Sequence, residues 1–205
     1  MGVISNGTTL LDAGALDSGI ATGAMTLIKT LTASGATTLS FLNGADNVVF
    51  DDTYDVYVFK FINVKASNRS KSLTFQVDTG TNTNYNIAVT STGLEAYQNE
   101  AGNSSELRYD AQYDNPNSTG FVQISSELQN DADSSGSGEL VFYNPSSDTF
   151  VKHWTSTSNN MRFDSHSYQY HKAGYFNTTT ALTRVQFKIN ANTFDGTIKM
   201  YGIGG

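Results

Sequence analysis

Two six-residue stretches, far apart in the chain, alternate apolar and polar side chains without a break. In SLTFQV, Leu73, Phe75 and Val77 fall on one face and Ser72, Thr74 and Gln76 on the other. In RVQFKI, Val185, Phe187 and Ile189 oppose Arg184, Gln186 and Lys188. A period of two belongs to strands, because successive side chains point to opposite faces of a sheet. Each stretch therefore predicts a half-buried strand. From Met25 onward the same grammar continues, with short β-type runs near 25–31, 38–42, 84–98, 105–110, 120–125, 139–143, 149–156, 167–175 and 196–203. Between them stand DTGTNTN, NEAGNSS, DNPNS, NDADSSGSG and NPSSD. Their Asn, Asp, Gly, Ser and Pro supply turn chemistry. About a dozen short strands at this spacing predict an all-β, antiparallel β-sandwich of jelly-roll type, ahead of a barrel.

Composition agrees. Hydrophobic residues make up 38% of the 205 residues and aromatics 12%, while charged residues make up only 15%. Disordered chains show the reverse, so a packed core is expected. A net charge of −7 argues against a nucleic-acid partner, since phosphate binding depends on Lys and Arg releasing counterions. Apolar runs are only a few residues long, far short of a membrane span. The chain has no Cys, which excludes a disulfide framework or a thiolate site.

One run breaks the alternation. In YDVYVFKFINV, Tyr57, Phe59 and Phe61 share a face, yet Val56, Val58, Ile62 and Val64 make the other face apolar as well. Such a strand is either central and covered twice or part of a subunit contact. On the second reading Tyr57, Phe59 and Phe61 are interface residues.

The opening MGVISNGTTLLDAGALDSGIATGAMTLIK has no usable period. Leu10, Leu11, Leu16 and Ile20 are scattered among small and polar residues. Asp12 and Asp17 interrupt any apolar core, and no basic region precedes it, so it does not read as a secretory signal. Residues 1–24 are therefore expected to form an extended arm that gains order from a partner, with Leu10, Leu11 and Leu16 as its contact residues. The expected β-sandwich domain is 25–205, assembled in a cytoplasm.

Reactive constellations are absent at this level. His166 and His171, five apart in HSYQYH, fall on opposite faces of a strand and miss the spacing of zinc enzymes. Gly136-Ser137-Gly138 lacks the spacing of a nucleophile elbow. Glu95, Glu100 and Glu106 cannot be read as an acid–base pair from spacing alone. No cofactor is implied, and the expected protein is not an enzyme. The best metal candidate is NDADSSGSGE, where Asp131 and Asp133 imitate the first half of a calcium loop and Glu139 would replace the missing distal carboxylate; a solvated hairpin loop is the alternative. The best ligand candidates are the aromatics of FVKHW and YQYHKAGYF: Trp154, Tyr168 and Tyr170, with His171 beside them. Aromatics with polar tips suit carbohydrate or protein recognition, and they equally suit a sandwich core or a subunit contact.

Several phrases together carry a family resemblance. MGVISNGTTLLDAGALDSG, DDTYDVYVFKFINV, AYQNEAG, YNPSSDTFVKHWTSTS and AGYFNTTTALTRVQFKINANTFDGTIKMYGIGG resemble a group of virion structural proteins of marine tailed bacteriophages. The resemblance spans nearly the whole chain. It implies a tail fibre, tailspike or head-decorating protein on the virion exterior, with other virion proteins as partners. A homotrimer and contact with a host-surface glycan or protein follow by the same analogy. It brings no catalytic residues. The leader would then be the particle anchor. The runner-up functions are a carbohydrate-binding module and a polysaccharide-degrading enzyme.

Overall fold

The computed structural model describes residues 25–162, 164–190 and 192–204, together with the strand backbones of β1 (Val3–Ser5), β2 (Thr8–Asp12) and β3 (Ala15–Leu16). Those three strands pair antiparallel with one another in a sheet of their own. The leader thus contains short strands where its sequence shows no period. Leu11 pairs with Leu16 across that sheet. The side chains of Leu10, Leu11 and Leu16, expected as contact residues, lie outside the described residues.

The body follows as β4 (Thr26–Ala36), β5 (Thr38–Leu42), β6 (Val56–Ala66), β7 (Lys71–Thr79), β8 (Val89–Asn99) and β9 (Ser105–Tyr109). After a 3-10 turn at Ala111–Tyr113 come β10 (Val122–Leu128), β11 (Gly136–Tyr143), β12 (Lys152–Arg162), β13 (His166–Phe176), β14 (Leu182–Ile189) and β15 (Phe194–Ile203). They build two antiparallel sheets. The larger runs β4-β15-β6-β11-β12-β13-β8-β9 and the smaller β10-β7-β14-β5. The chain crosses between sheets at β4–β5, β5–β6, β6–β7, β7–β8, β9–β10, β10–β11, β13–β14 and β14–β15. This is jelly-roll wiring. The hairpin β11–β12 is inserted between β6 and β13, and the flanking strands β4 and β15 widen the larger sheet beyond β6. The all-β sandwich expected from alternation is what the chain forms.

The two alternating stretches lie on β7 and β14, neighbours in the small sheet. Their inward residues Leu73, Phe75, Val77, Val185, Phe187 and Ile189 are all buried. They meet Phe59, Phe61, Phe142, Trp154 and Phe176 from the large sheet. Phe75 stands edge-on to Trp154 (5.1 Å between centroids), Phe176 (5.8 Å) and Phe142 (5.9 Å). Edge-to-face contact sets the positive rim of one ring against the negative face of the next.

Tyr57, Phe59 and Phe61 are internal, with Tyr57 and Phe59 inaccessible to solvent. They are therefore core residues and not the subunit contact proposed as one of their two readings. The Tyr57 hydroxyl donates to the carbonyl of Asp51 (3.0 Å), and burial pushes its pKa up to about 12. Val64 also departs from simple alternation. The register of β6 shifts against both neighbours near Asn63, whose φ is 51°, and the opposing Gly196 has φ 134°. This bulge inserts one residue, so Val64 turns into the core while Ile62 stays outside.

The polar face of β7 is covered too. The Gln76 amide donates to the carbonyls of Ile87, Thr119 and Gly120, and the Asp78 carboxylate accepts from the backbone N–H groups of Thr79 and Tyr85. Loops before β8 and before β10 therefore roof the small sheet. No helix among the described residues is long and apolar enough to cross a membrane.

Candidate functional site

Eight strands against four leave an overhang. The small sheet ends at β10, which packs over β12 and β13. Beyond that edge no strand of the small sheet among the described residues covers the inner faces of β13, β8 and β9. Alternation decides what they present. Tyr168, Tyr170 and Lys172 point inward from β13, Glu95 and Tyr97 from β8, and their cross-strand partners Arg108 and Glu106 from β9. The 3-10 turn brings Gln112 and Tyr113 to the far wall, and β10 brings Ser126 and Glu127 to the near one. Between them is a cleft of about 200 Å³.

The interior changes character toward this end. Along β12 the inward residues run Trp154, Ser156, Ser158 and Asn160, all buried. Ser156 and Ser158 donate to the carbonyls of Glu139 (2.9 Å) and Ile124 (2.6 Å). Burying hydroxyls is tolerable because each is hydrogen-bonded. The interior thus turns polar beneath β10, at the edge of the overlap, and remains polar along the overhang beyond it.

Charges in the cleft are paired. The Glu95 side chain is 2% exposed, and the Arg108 guanidinium binds its Oε1. Arg108 also lies 3.7 Å from Glu106 and sits over the Tyr97 ring at 5.8 Å. Across the cleft, Glu127 Oε2 lies 3.7 Å from Arg162 Nε, and Arg162 Nη1 donates to the Tyr168 hydroxyl at 2.6 Å. Behind them Lys172 and Asp110 form a buried pair at 3.1 Å, with the ammonium 5.2 Å from the Tyr113 ring centre. Tyr97, Tyr168 and Tyr170 stack in a row at 5.0 and 6.1 Å. Burial pushes the Glu95 carboxyl above its ordinary value, opposed by Arg108. Burial raises Tyr170 strongly, so its hydroxyl stays protonated.

Apolar residues of similar volume would stabilise such an interior at least as well, because desolvating ions offsets their attraction. Glu127 adds a second departure. It is a non-glycine residue at φ 57°, at a register shift in β10. A bulge there re-aims Ser126 and Glu127 toward the cleft, and strain of this kind clusters at functional sites.

The sequence-predicted residues divide sharply. Trp154, Tyr168 and Tyr170 all point inward and are buried, so they do not form the exposed aromatic surface that recognition would use. Trp154 belongs to the core, while Tyr168 and Tyr170 line the cleft. His171 points the opposite way, onto the outer face, where its ring contacts Thr157 (3.3 Å) and Gln169 (2.9 Å). The structure therefore does not bring the four together. Nor does it gather the calcium candidates. Asp131 pairs with Arg69 at 2.8 Å, Asp133 is exposed, and Glu139 pairs with Lys60 on the large sheet. No group of three or more His, Asp or Glu side chains among the described residues could hold a metal.

Sequence reasoning missed Arg108, Glu127 and Arg162, and it treated Glu95 as an ordinary acid. Glu95 and Arg108 face each other across the β8–β9 hairpin, whereas Glu127 on β10 and Arg162 on β12 reach them only through the order and packing of the sheets. One signal was available: in a chain with 12 Lys and Arg in all, ELR in β9 and MR at the end of β12 place rare cations on half-apolar strands. Searches of family models, curated proteins and solved structures give no match to this chain.

Proposed function

We propose that this chain is a non-enzymatic structural protein of a tailed-bacteriophage virion, a tail fibre or capsid decoration. Its leader docks on the particle and its jelly roll faces outward to contact a host surface or to stabilise the shell. What supports this reading is the resemblance that phrases such as AYQNEAG and YNPSSDTFVKHWTSTS bear to virion proteins. The separation into a leader with its own small sheet and a two-sheet body suits it. An acidic, sparsely charged exterior also suits a component that does not touch packaged DNA. A homotrimer would have to form without Tyr57, Phe59 and Phe61, which are internal; the outer face of the large sheet, where Ile62, Leu94 and Leu107 are exposed, offers one other surface. Assembly would take place in the host cytoplasm.

The test is direct imaging of gold-labelled antibody against this protein on intact particles. Label on the outside of head or tail is expected. Particles free of the protein, or label only after the shell is opened, would overturn the assignment.

A further inference from the structure

We propose that the cleft between β10 and the overhanging inner face of β13, β8 and β9 binds a neutral polyhydroxylated ligand, one pyranose ring of a glycan. The inference goes beyond the virion assignment and holds wherever the chain resides.

Size sets the first limit. At about 200 Å³ the cleft is smaller than the ~300–1,000 Å³ of sites for drug-sized ligands, so it takes one ring rather than a run of residues. Charge sets the second. Glu95 and Glu127 are balanced by Arg108 and Arg162. An anion would meet guanidinium groups already engaged by carboxylates, and a cation would meet carboxylates already engaged by guanidinium groups. A hydroxyl suits a half-used ion pair, because it donates to a carboxylate and accepts from an N–H at once. Glu95 offers such a place: Arg108 takes Oε1, while among the described residues no donor engages Oε2.

The third ground is independent of charge. The Tyr170 hydroxyl lies buried at the cleft with Ser126 beside it, and it makes no hydrogen bond of good geometry. A buried hydroxyl left so is costly, and a ligand hydroxyl would relieve the cost. The stacked Tyr97, Tyr168 and Tyr170 rings hold these polar tips in place before any ligand arrives, which reduces the ordering cost of binding.

The test is saturation-transfer NMR followed by calorimetry on the full chain. The probes are the methyl glycosides of glucose, galactose, mannose and N-acetylglucosamine, each against glucuronate and galacturonate. At least one neutral glycoside is expected to bind, with a Kd of roughly millimolar order for so small a ligand, and more tightly than either acidic sugar. Glu95→Gln should weaken it about tenfold and Tyr170→Phe severalfold, as loss of one charged and one neutral hydrogen bond predicts. Thr155→Ala, on the outer face, should leave it unchanged. Should Glu95→Gln fail to fold, Tyr170→Phe decides, with its melting curve as control. No transfer to any neutral glycoside, an acidic sugar binding as well as a neutral one, or undiminished binding in Tyr170→Phe would each overturn the proposal. None of these results bears on where the protein sits on a particle, which antibody labelling reads separately.

Discussion

Phe75 contacts rings from three strands of the opposite sheet, and none of them can close the space it fills. Phe75→Ala is therefore expected to destabilise the body by about 3–5 kcal/mol. Urea unfolding would show a lower midpoint at an unchanged slope. Glu95 gives a prediction in pH. Its folded pKa is raised above its ordinary 4.5 by burial. Such a group contributes stability that is full below its unfolded pKa and is lost as pH rises through the folded value. Glu95→Gln cannot titrate, so the melting temperature of the natural protein minus that of the variant should fall between pH 4 and neutrality. A flat difference, measured by calorimetry across that range, would show that burial does not raise this carboxyl. Residue by residue, the sequence did disclose which way side chains point once the strand was known. Parity alone puts Tyr168 and Tyr170 on one face and His171 on the other. It could not disclose that the face holding Trp154, Tyr168 and Tyr170 was the inner one, since an aromatic row fits either side of a sheet.

Elements were more legible than sites. The runs near 38–42, 105–110 and 167–175 match β5, β9 and β13 within a residue or so, because alternation and turn clusters bound them clearly. The run at 84–98 began too early. Tyr85 takes φ 50° and ties its N–H to Asp78, so the chain there roofs the small sheet before β8 starts at Val89. Conversely, Gly136 and Gly138 read as loop and prove to be strand, in β11. A glycine weakens a strand unless another backbone approaches closely, and that approach depends on a partner strand the local sequence does not contain. The bulge in β6 hides for the same reason. It makes a test at Gly196, where φ is 134° and an added Cβ would stand 2.8 Å from the Cα of Val64. Gly196→Ala meets both a disfavoured backbone conformation and a clash, so a loss of about 2–3 kcal/mol is expected. Thermal unfolding should register it. Gly35→Ala, at φ 63° with open space around the Cβ, isolates the conformational part and should cost clearly less.

At the scale of the molecule, the mismatch between an eight-stranded and a four-stranded sheet produces both the dry core and the charged cleft. Neither could be read from sequence, because sheet order is set by long-range pairing such as Tyr170 with Glu95. The leader raises the complementary question of independence. Its strands pair only with one another in the described sheets, and among the described residues the apolar cluster that holds the sandwich together draws on Ile28 and residues after it. Removing residues 1–24 should therefore leave the melting temperature of the body within about 2 °C, less than the loss of one kcal/mol would shift it. If the leader is the particle anchor, the same truncation should abolish incorporation when supplied in place of the full chain during infection. An extended segment that orders on docking binds weakly per unit area, yet symmetric copies engaging together would hold firmly. The truncated protein should then compete poorly with full-length protein at any excess. A truncated body that melts early would show that the leader is part of the fold, and one that melts normally but still joins particles would assign docking to the jelly roll itself.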